Sequence, residues 1–258
     1  MDDLHVGVGK SDDDSLERVR AISSPKLRVF ETEWDLSQRE GGRLLSDQTN
    51  LALARCDGDW CFCLQADEVL HEDDYDIIRD AMRSQLNRKR VLGLWFDYLH
   101  FRGDYDIRNA LGYRSSVRII RPGYGLRSIR DASKFGWSHT RPLFERRPWS
   151  RTKRIHARIF HYGHVRPPPS MSEKRESSRR LYDGGDLGAA RPDVLAEWQY
   201  NFAACVPYRG THPAVMTDLI GAKDWETPPF EPIPLWRNST FIVGRLRKAG
   251  LWPKRRTG

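Results

Sequence analysis

Long apolar runs are missing from this sequence. Its longest apolar stretch, VLGLWF at residues 91–96, is strand-sized and far short of the ~20 apolar residues of a membrane-spanning helix. The opening MDDLHVGVGK lacks the charged-then-apolar layout of a secretory leader, so a cytoplasmic location is expected. Cysteine is scarce: Cys56, Cys61, Cys63 and Cys205 are the only ones, and none forms a CxxC pair. That argues against a disulfide framework or a cysteine-built zinc module. Cys61 and Cys63 alternate in an apolar segment and read as reduced core thiols. No internal repeat is visible.

Positive charge, by contrast, is abundant. Lysine and arginine number 43 against 35 acidic residues, a net charge of +8. Such an excess favours anionic partners: nucleic acid, phosphates or an acidic membrane face. The basic residues are interleaved with acidic ones, and no RNP, zinc-finger or basic-zipper signature is present. Nucleic acid is therefore not expected as a partner. The densest basic segment lies at the end, with Arg245, Arg247, Lys248, Lys254, Arg255 and Arg256 interspersed with Phe241, Ile242, Val243, Leu246 and Leu251. That pattern reads either as a solvated tail or as an interfacial segment touching the inner face of an anionic membrane.

The first part of the chain alternates strand and helix. Strands are predicted at residues 4–9, 27–31, 60–65 and 91–101, and helices at 15–22, 43–54 and 73–86. The helical signal is spacing: Leu44, Leu45, Gln48, Leu51 and Ala52 share one face, as do Ile77, Ile78, Ala81 and Met82. Alternation of this kind predicts an α/β fold with a mostly parallel sheet flanked by helices. Further on, strands are predicted at 114–121 and 154–162 and a charged helix at 172–181, with irregular stretches at 127–149 and 165–170, the latter around three consecutive prolines. Residues 1–216 are read as one domain, and 217–258 as a proline-rich linker and basic tail, an irregular C-terminal extension.

The segment DWCFCLQADEVLHEDD at 59–74 carries the chemistry. An apolar strand runs directly into Asp67 and Glu68. Open α/β sheets bind ligands at the carboxyl ends of strands, and a carboxylate there can hold a hard divalent cation that neutralises a diphosphate. Solvated loop charges are the plain alternative from spacing alone.

This segment resembles the strand and DxD-type loop of family 2 glycosyltransferases. So do VGVGKSDDDSLERVRAI (6–22), KLRVFETEWD (26–35), GGRLLSDQTNLALARCDGDW (41–60), RSSVRIIRP (114–122), IRDASKFGW (129–137), HYGHVRPPPSM (161–171) and THPAVM (211–216), in the order of one bacterial branch of that family. The resemblance implies a GT-A-like (Rossmann-like) fold, a nucleotide-sugar donor, a glycan or lipid-linked acceptor, Mg²⁺ or Mn²⁺, inversion at the transferred sugar, and a role in cell-envelope or surface polysaccharide assembly. By the same resemblance Asp67 is the metal-binding aspartate, with His161 completing the metal site. Gln65 stands where the family's first aspartate lies and would bind the nucleotide without charge. Asp12 and Asp13 match the acidic loop near the nucleotide. The chain starts at the family's second strand, so an N-terminally truncated sheet and an incomplete base pocket are expected; a non-catalytic remnant that binds a partner is the alternative function.

Asp131 occupies the place of an acidic residue near the acceptor, which implies a general base; capping a turn or pairing with Arg127 or Arg130 is its alternative. His161 and His164, three residues apart, read either as metal ligands or as backbone-bonded strand-end histidines. Arg166, with Lys10, Arg114 and Arg118, is a candidate for contacting diphosphate. Trp34 and Trp137 are candidates for stacking on sugar rings.

Overall fold

The computed structural model describes residues 2–35, 42–110, 112–143, 151–183 and 205–227, together with Ile242. The predicted basic tail and most of the proline-rich segment lie outside these residues.

The chain opens with a βαβ unit. Strand β1 (Leu4–Gly9) and strand β2 (Leu27–Thr32) pair in parallel, in register from Leu4↔Leu27 to Gly9↔Thr32, with helix α1 (Ser15–Arg20) as the crossover. Gly9 is required by packing: a Cβ there would sit 2.3 Å from Nε1 of Trp34. Trp34 is thus pressed against the end of β1, and its indole nitrogen is buried without a hydrogen-bond partner.

Helix α2 (Arg43–Leu53) follows, burying Leu44, Ser46 and Leu53. Strand β3 (Cys61–Phe62) is shorter than its apolar run predicts, because after a last bond from the Cys63 N–H to the Arg118 carbonyl at 2.8 Å the chain turns away through Gln65–Glu68. Strand β4 (Glu68–Leu70), a 3₁₀ turn (Glu72–Asp74) and helix α3 (Tyr75–Gln85) come next. The C-terminal carbonyls of α3 are held by Arg121, which donates to the carbonyls of Gln85 at 2.6 Å and Leu86 at 2.8 Å.

The remaining strands form most of the main sheet. They are β5 (Gly93–Arg102), β6 (Asp104–Asn109), β7 (Ser115–Ile120) and β11 (Thr152–His164). β5 is central: β11 lies along one side, while β7 and then β6 share the other; β4 joins β11, β3 joins β7, and the short β12 (Cys205–Pro207) joins β6. The central strand is buried on both faces over most of its length, with Leu94, Phe96 and Phe101 fully covered, and its sequence is mostly apolar, interrupted by Asp97, His100 and Arg102.

The expected mostly parallel sheet is corrected by this topology. In the seven-stranded sheet only β5–β11 is parallel, and every other pairing is antiparallel. The reason lies in the connections. Parallel neighbours need long crossovers, whereas antiparallel ones need only turns. β5 returns into β6 through a tight turn at Gly103, which has φ 72°; no helix separates β5, β6 and β7. The architecture is therefore mixed α/β, with a parallel βαβ unit beside a mainly antiparallel sheet.

Two segments read as irregular are ordered. Within 127–149, β8 (Arg127–Ile129), β9 (Lys134–Ser138) and β10 (Arg141–Pro142) form a small antiparallel sheet. Helix α4 (Pro168–Asp183) begins inside the proline run; proline is tolerated in a first helical turn, where its missing N–H has no partner to lose. Residues 217–227 pack onto the β5–β6 turn: Trp225 donates to the Gly103 carbonyl at 3.0 Å, and Lys223 pairs with Asp104 at 2.8 Å.

Candidate active site

Sheet register builds the site. His161 on β11 lies opposite His100 on β5 and Glu68 on β4, a row across three strands with Asp67 immediately before it. The turn delivering Asp67 is closed by the Glu68 N–H donating to the Gln65 carbonyl at 3.0 Å, and the Asp67 carbonyl accepts from the Tyr162 N–H at 2.9 Å.

The two adjacent carboxylates part company. Glu68 points into the core, where it accepts from Arg118 Nε at 2.9 Å and from the Tyr98 hydroxyl. Arg118 is 2% exposed and committed to this pair, so its expected contact with a diphosphate is corrected: it cannot reach a ligand in solvent. A buried pair of this kind is costly to break because the surviving charge is left uncompensated.

Asp67 points the other way. Its Oδ2 is 3.2 Å from Lys174 Nζ on α4 and 3.5 Å from His161 Nε2. Burial alone would raise the Asp67 carboxyl, but the His161 hydrogen bond and the positive charges of His161 and Lys174 outweigh it and hold it well below the usual carboxylate range. Gly163 makes the space: a Cβ there would lie 2.2 Å from Asp67 Oδ2, 2.9 Å from His161 Nε2 and 3.0 Å from Lys174 Nζ. Lys174 also donates to the Gly163 carbonyl at 2.7 Å.

Hydrogen bonding behind the site sets the tautomers. His100 Nε2 lies 3.1 Å from the Tyr113 carbonyl, which can only accept, so Nε2 carries the proton. Burial, and next to it the His161 charge, push the His100 pKa down to about 3, so the ring is neutral and its Nδ1 is an acceptor. His161 Nδ1, 3.1 Å away, must then donate. Its Nε2 faces the Asp67 carboxylate at 3.5 Å as a hydrogen-bond donor; a metal ion would take the place of that proton, with Nδ1 kept as the donor to His100.

An ionised carboxylate and an imidazole nitrogen 3.5 Å apart have the spacing of two ligands of a divalent cation, since two ligands at ~2.1 Å from one ion lie roughly 3.0–3.5 Å from each other. Among the described residues no group of three or more His, Cys, Asp or Glu side chains is placed to hold a metal ion. Such an ion would take its remaining ligands from phosphate oxygens and water, the usual arrangement for Mg²⁺. His164 is nearby, its ring 5.8 Å from that of His161. Its Nδ1 is buried without a partner, and burial followed by the Arg102 charge lowers its pKa to about 3.

Asp131 lies in the turn between β8 and β9, and its charge is a minor influence on the Tyr113 hydroxyl, which burial raises first of all. The Tyr113 ring packs 4.4 Å from His100 and 4.8 Å from Tyr98. Both neighbours of Asp131 are in the left-handed region, Arg130 at φ 61° and Ala132 at φ 59°. Each costs on the order of 1–2 kcal/mol for a residue with a Cβ, and strain of this kind collects at functional sites.

The other predicted residues are not drawn into this cluster. Gln65 forms the turn before Asp67, its N–H donating to Glu68 Oε2 at 3.3 Å. Asp13 accepts from the Ser15 N–H at 3.0 Å at the start of α1, and these hydrogen bonds lower its pKa; Asp12 is exposed beside it. Arg166 is exposed in the bend between β11 and α4. Lys10 is exposed after β1, and exposed Arg114 donates to the Ala110 carbonyl at 3.3 Å. Sequence reasoning missed Lys174 and His100. Lys174 sits in a highly charged helix where nothing in the sequence distinguishes it from its neighbours. His100 ends an apolar run, a weak signal for a buried polar role.

Compared with known proteins, the chain matches no protein-family model and no curated protein. No helix of the described residues is long and apolar enough to cross a membrane.

Proposed function

We propose that the protein is a metal-dependent glycosyltransferase with a GT-A-like fold, moving a sugar from a nucleotide diphosphate donor to an acceptor hydroxyl. The observation that carries this reading is Asp67 held ionised beside His161 Nε2 over Gly163, at a turn following a sheet strand. Asp67 and His161 would hold Mg²⁺ or Mn²⁺, which when bound supplies positive charge to the diphosphate leaving group. Asp131 would accept the proton from the acceptor hydroxyl as its oxygen bonds to the anomeric carbon and the bond to diphosphate breaks. Gln65, Asp12, Asp13 and Arg166 are the proposed donor contacts. A glycan or lipid-linked acceptor, surface polysaccharide assembly, and peripheral contact with the inner face of a membrane through the basic tail belong to the same proposal.

Asp67→Asn is expected to abolish Mn²⁺-dependent transfer and nucleotide diphosphate binding, with the circular dichroism spectrum unchanged. Binding that is indifferent to this substitution would remove Asp67 from the mechanism. One observation favours a second reading, a non-catalytic binding protein: Lys174 already places a cation against Asp67 at 3.2 Å. Electron paramagnetic resonance of Mn²⁺ separates the two. An enzyme binds the ion at Asp67 with nucleotide present, whereas an ammonium-locked remnant leaves the Mn²⁺ signal that of the free ion.

A further inference from the structure

A cavity of mixed polar and apolar lining lies between α2 and the β8–β9 hairpin, with a volume of about 240 Å³. That is below the about 300–1,000 Å³ of pockets enclosing drug-sized ligands, and suits one ring rather than a nucleotide-sugar. Arg43 and Asp47 of α2 line one side, and Arg127, Trp137 and His139 the other.

Each side is built rather than incidental. Asn50 fastens α2 to β8 like an extra strand, donating to the Ser128 carbonyl at 3.0 Å and accepting the Ser128 N–H at 2.7 Å. Ser128 also contributes to the lining, and its buried Oγ has no hydrogen-bond partner. Trp137 is anchored by its indole N–H to the Tyr124 carbonyl at 3.0 Å. His139 Nδ1 accepts from the Arg130 N–H at 3.3 Å, so the neutral ring keeps its Nε2–H as a donor. Arg43 is partly balanced by Asp47 at 3.6 Å, which leaves Arg127 as the second guanidinium on the opposite wall.

We propose that this cavity binds a single anionic sugar ring, a pyranose carrying a carboxylate or a phosphate. Guanidinium groups recognise such anions by paired N–H donors, the Asp47 carboxylate accepts from ring hydroxyls, and an indole supplies an apolar face for the ring. The cavity shares the β8–β9 hairpin with Asp131, but none of its lining residues belongs to the Asp67, His161 and Lys174 cluster, and its binding does not require that the protein transfer sugars.

Isothermal calorimetry on the full chain with glucuronate, glucose 1-phosphate, glucose and inorganic phosphate tests the assignment. Saturable binding of glucuronate or of glucose 1-phosphate is expected, and whichever responds identifies the anion. Arg127→Gln, at an exposed position, and His139→Gln should each weaken that binding about tenfold or more, while Asp67→Asn should leave it unchanged. The assignment is overturned if neither anionic sugar binds at about 10 mM, or if glucose or inorganic phosphate binds equally well. It is also overturned if both cavity variants bind like the parent, or if Asp67→Asn removes the binding.

Discussion

At the residue scale, the neighbours Asp67 and Glu68 should respond to substitution in opposite ways. Glu68→Gln leaves Arg118 buried without a counter-charge and is expected to lower stability by about 3–5 kcal/mol, measured by urea unfolding. Asp67→Asn removes the carboxylate facing Lys174 and His161 at a position open enough for water to reach, and should lower the urea midpoint less than Glu68→Gln while losing Mn²⁺ binding. Gly163→Ala is the sharper probe of geometry. A methyl group 2.2 Å from Asp67 Oδ2 cannot be accommodated unless the carboxylate moves, so metal binding should fall at least about tenfold with the secondary structure intact. A parent-like titration for Gly163→Ala would show that Asp67 and His161 do not act together.

At the element scale, β5 and β11 carry buried histidines, and these link stability to pH. His100 and His164 have folded pKa values of about 3 against 6.5 when unfolded. A depressed pKa means that the unfolded chain binds more protons between pH 6.5 and 3. The histidines' contribution is therefore complete above pH 6.5 and is lost as pH falls toward 3, at up to about 1.4 kcal/mol per pH unit for each. Asp67, also depressed, loses its contribution only at still lower pH. Urea midpoints measured from pH 7 to 4.5 should fall steadily, and His100→Gln should flatten that slope. The strained turn between β8 and β9 makes a separate prediction. Arg130→Gly relieves a left-handed residue and should change stability by no more than about 1 kcal/mol, in the stabilising direction. Transfer should fall if the turn aims Asp131, so unfolding and activity measurements together distinguish strain kept for position from strain without use.

At the scale of the whole molecule, β5 holds the sheet together because β11, β7 and β6 all pair with it. Phe96 on β5 is fully buried and stacks 5.2 Å from Phe62 on β3. Phe96→Ala is expected to cost about 3–5 kcal/mol and to weaken Mn²⁺ binding only through the fraction unfolded. The site depends on the same strand, since His100 on β5 orients His161 on β11, and α4 folds back to bring Lys174 against Asp67.

Local chemistry was legible in the chain itself. Periodicity located β1, α1, β2, α2, α3, β5, β7 and β11 to within a few residues, because apolar spacing is imposed by which face each element buries. The strand-to-carboxylate junction drew attention to Asp67 and Glu68 together, since a charged pair after an apolar run is a local feature; the choice of Asp67 between them rested on the family resemblance. Strand direction was not legible: it depends on whether neighbours in the sheet are joined by turns or by crossovers, and the Gly103 turn sends β6 back antiparallel beside β5. The division of labour between Asp67 and Glu68 was not legible either. It is decided by which side chain faces Arg118 across the sheet and which faces Lys174, contacts between residues dozens of positions apart that only the packed fold brings together.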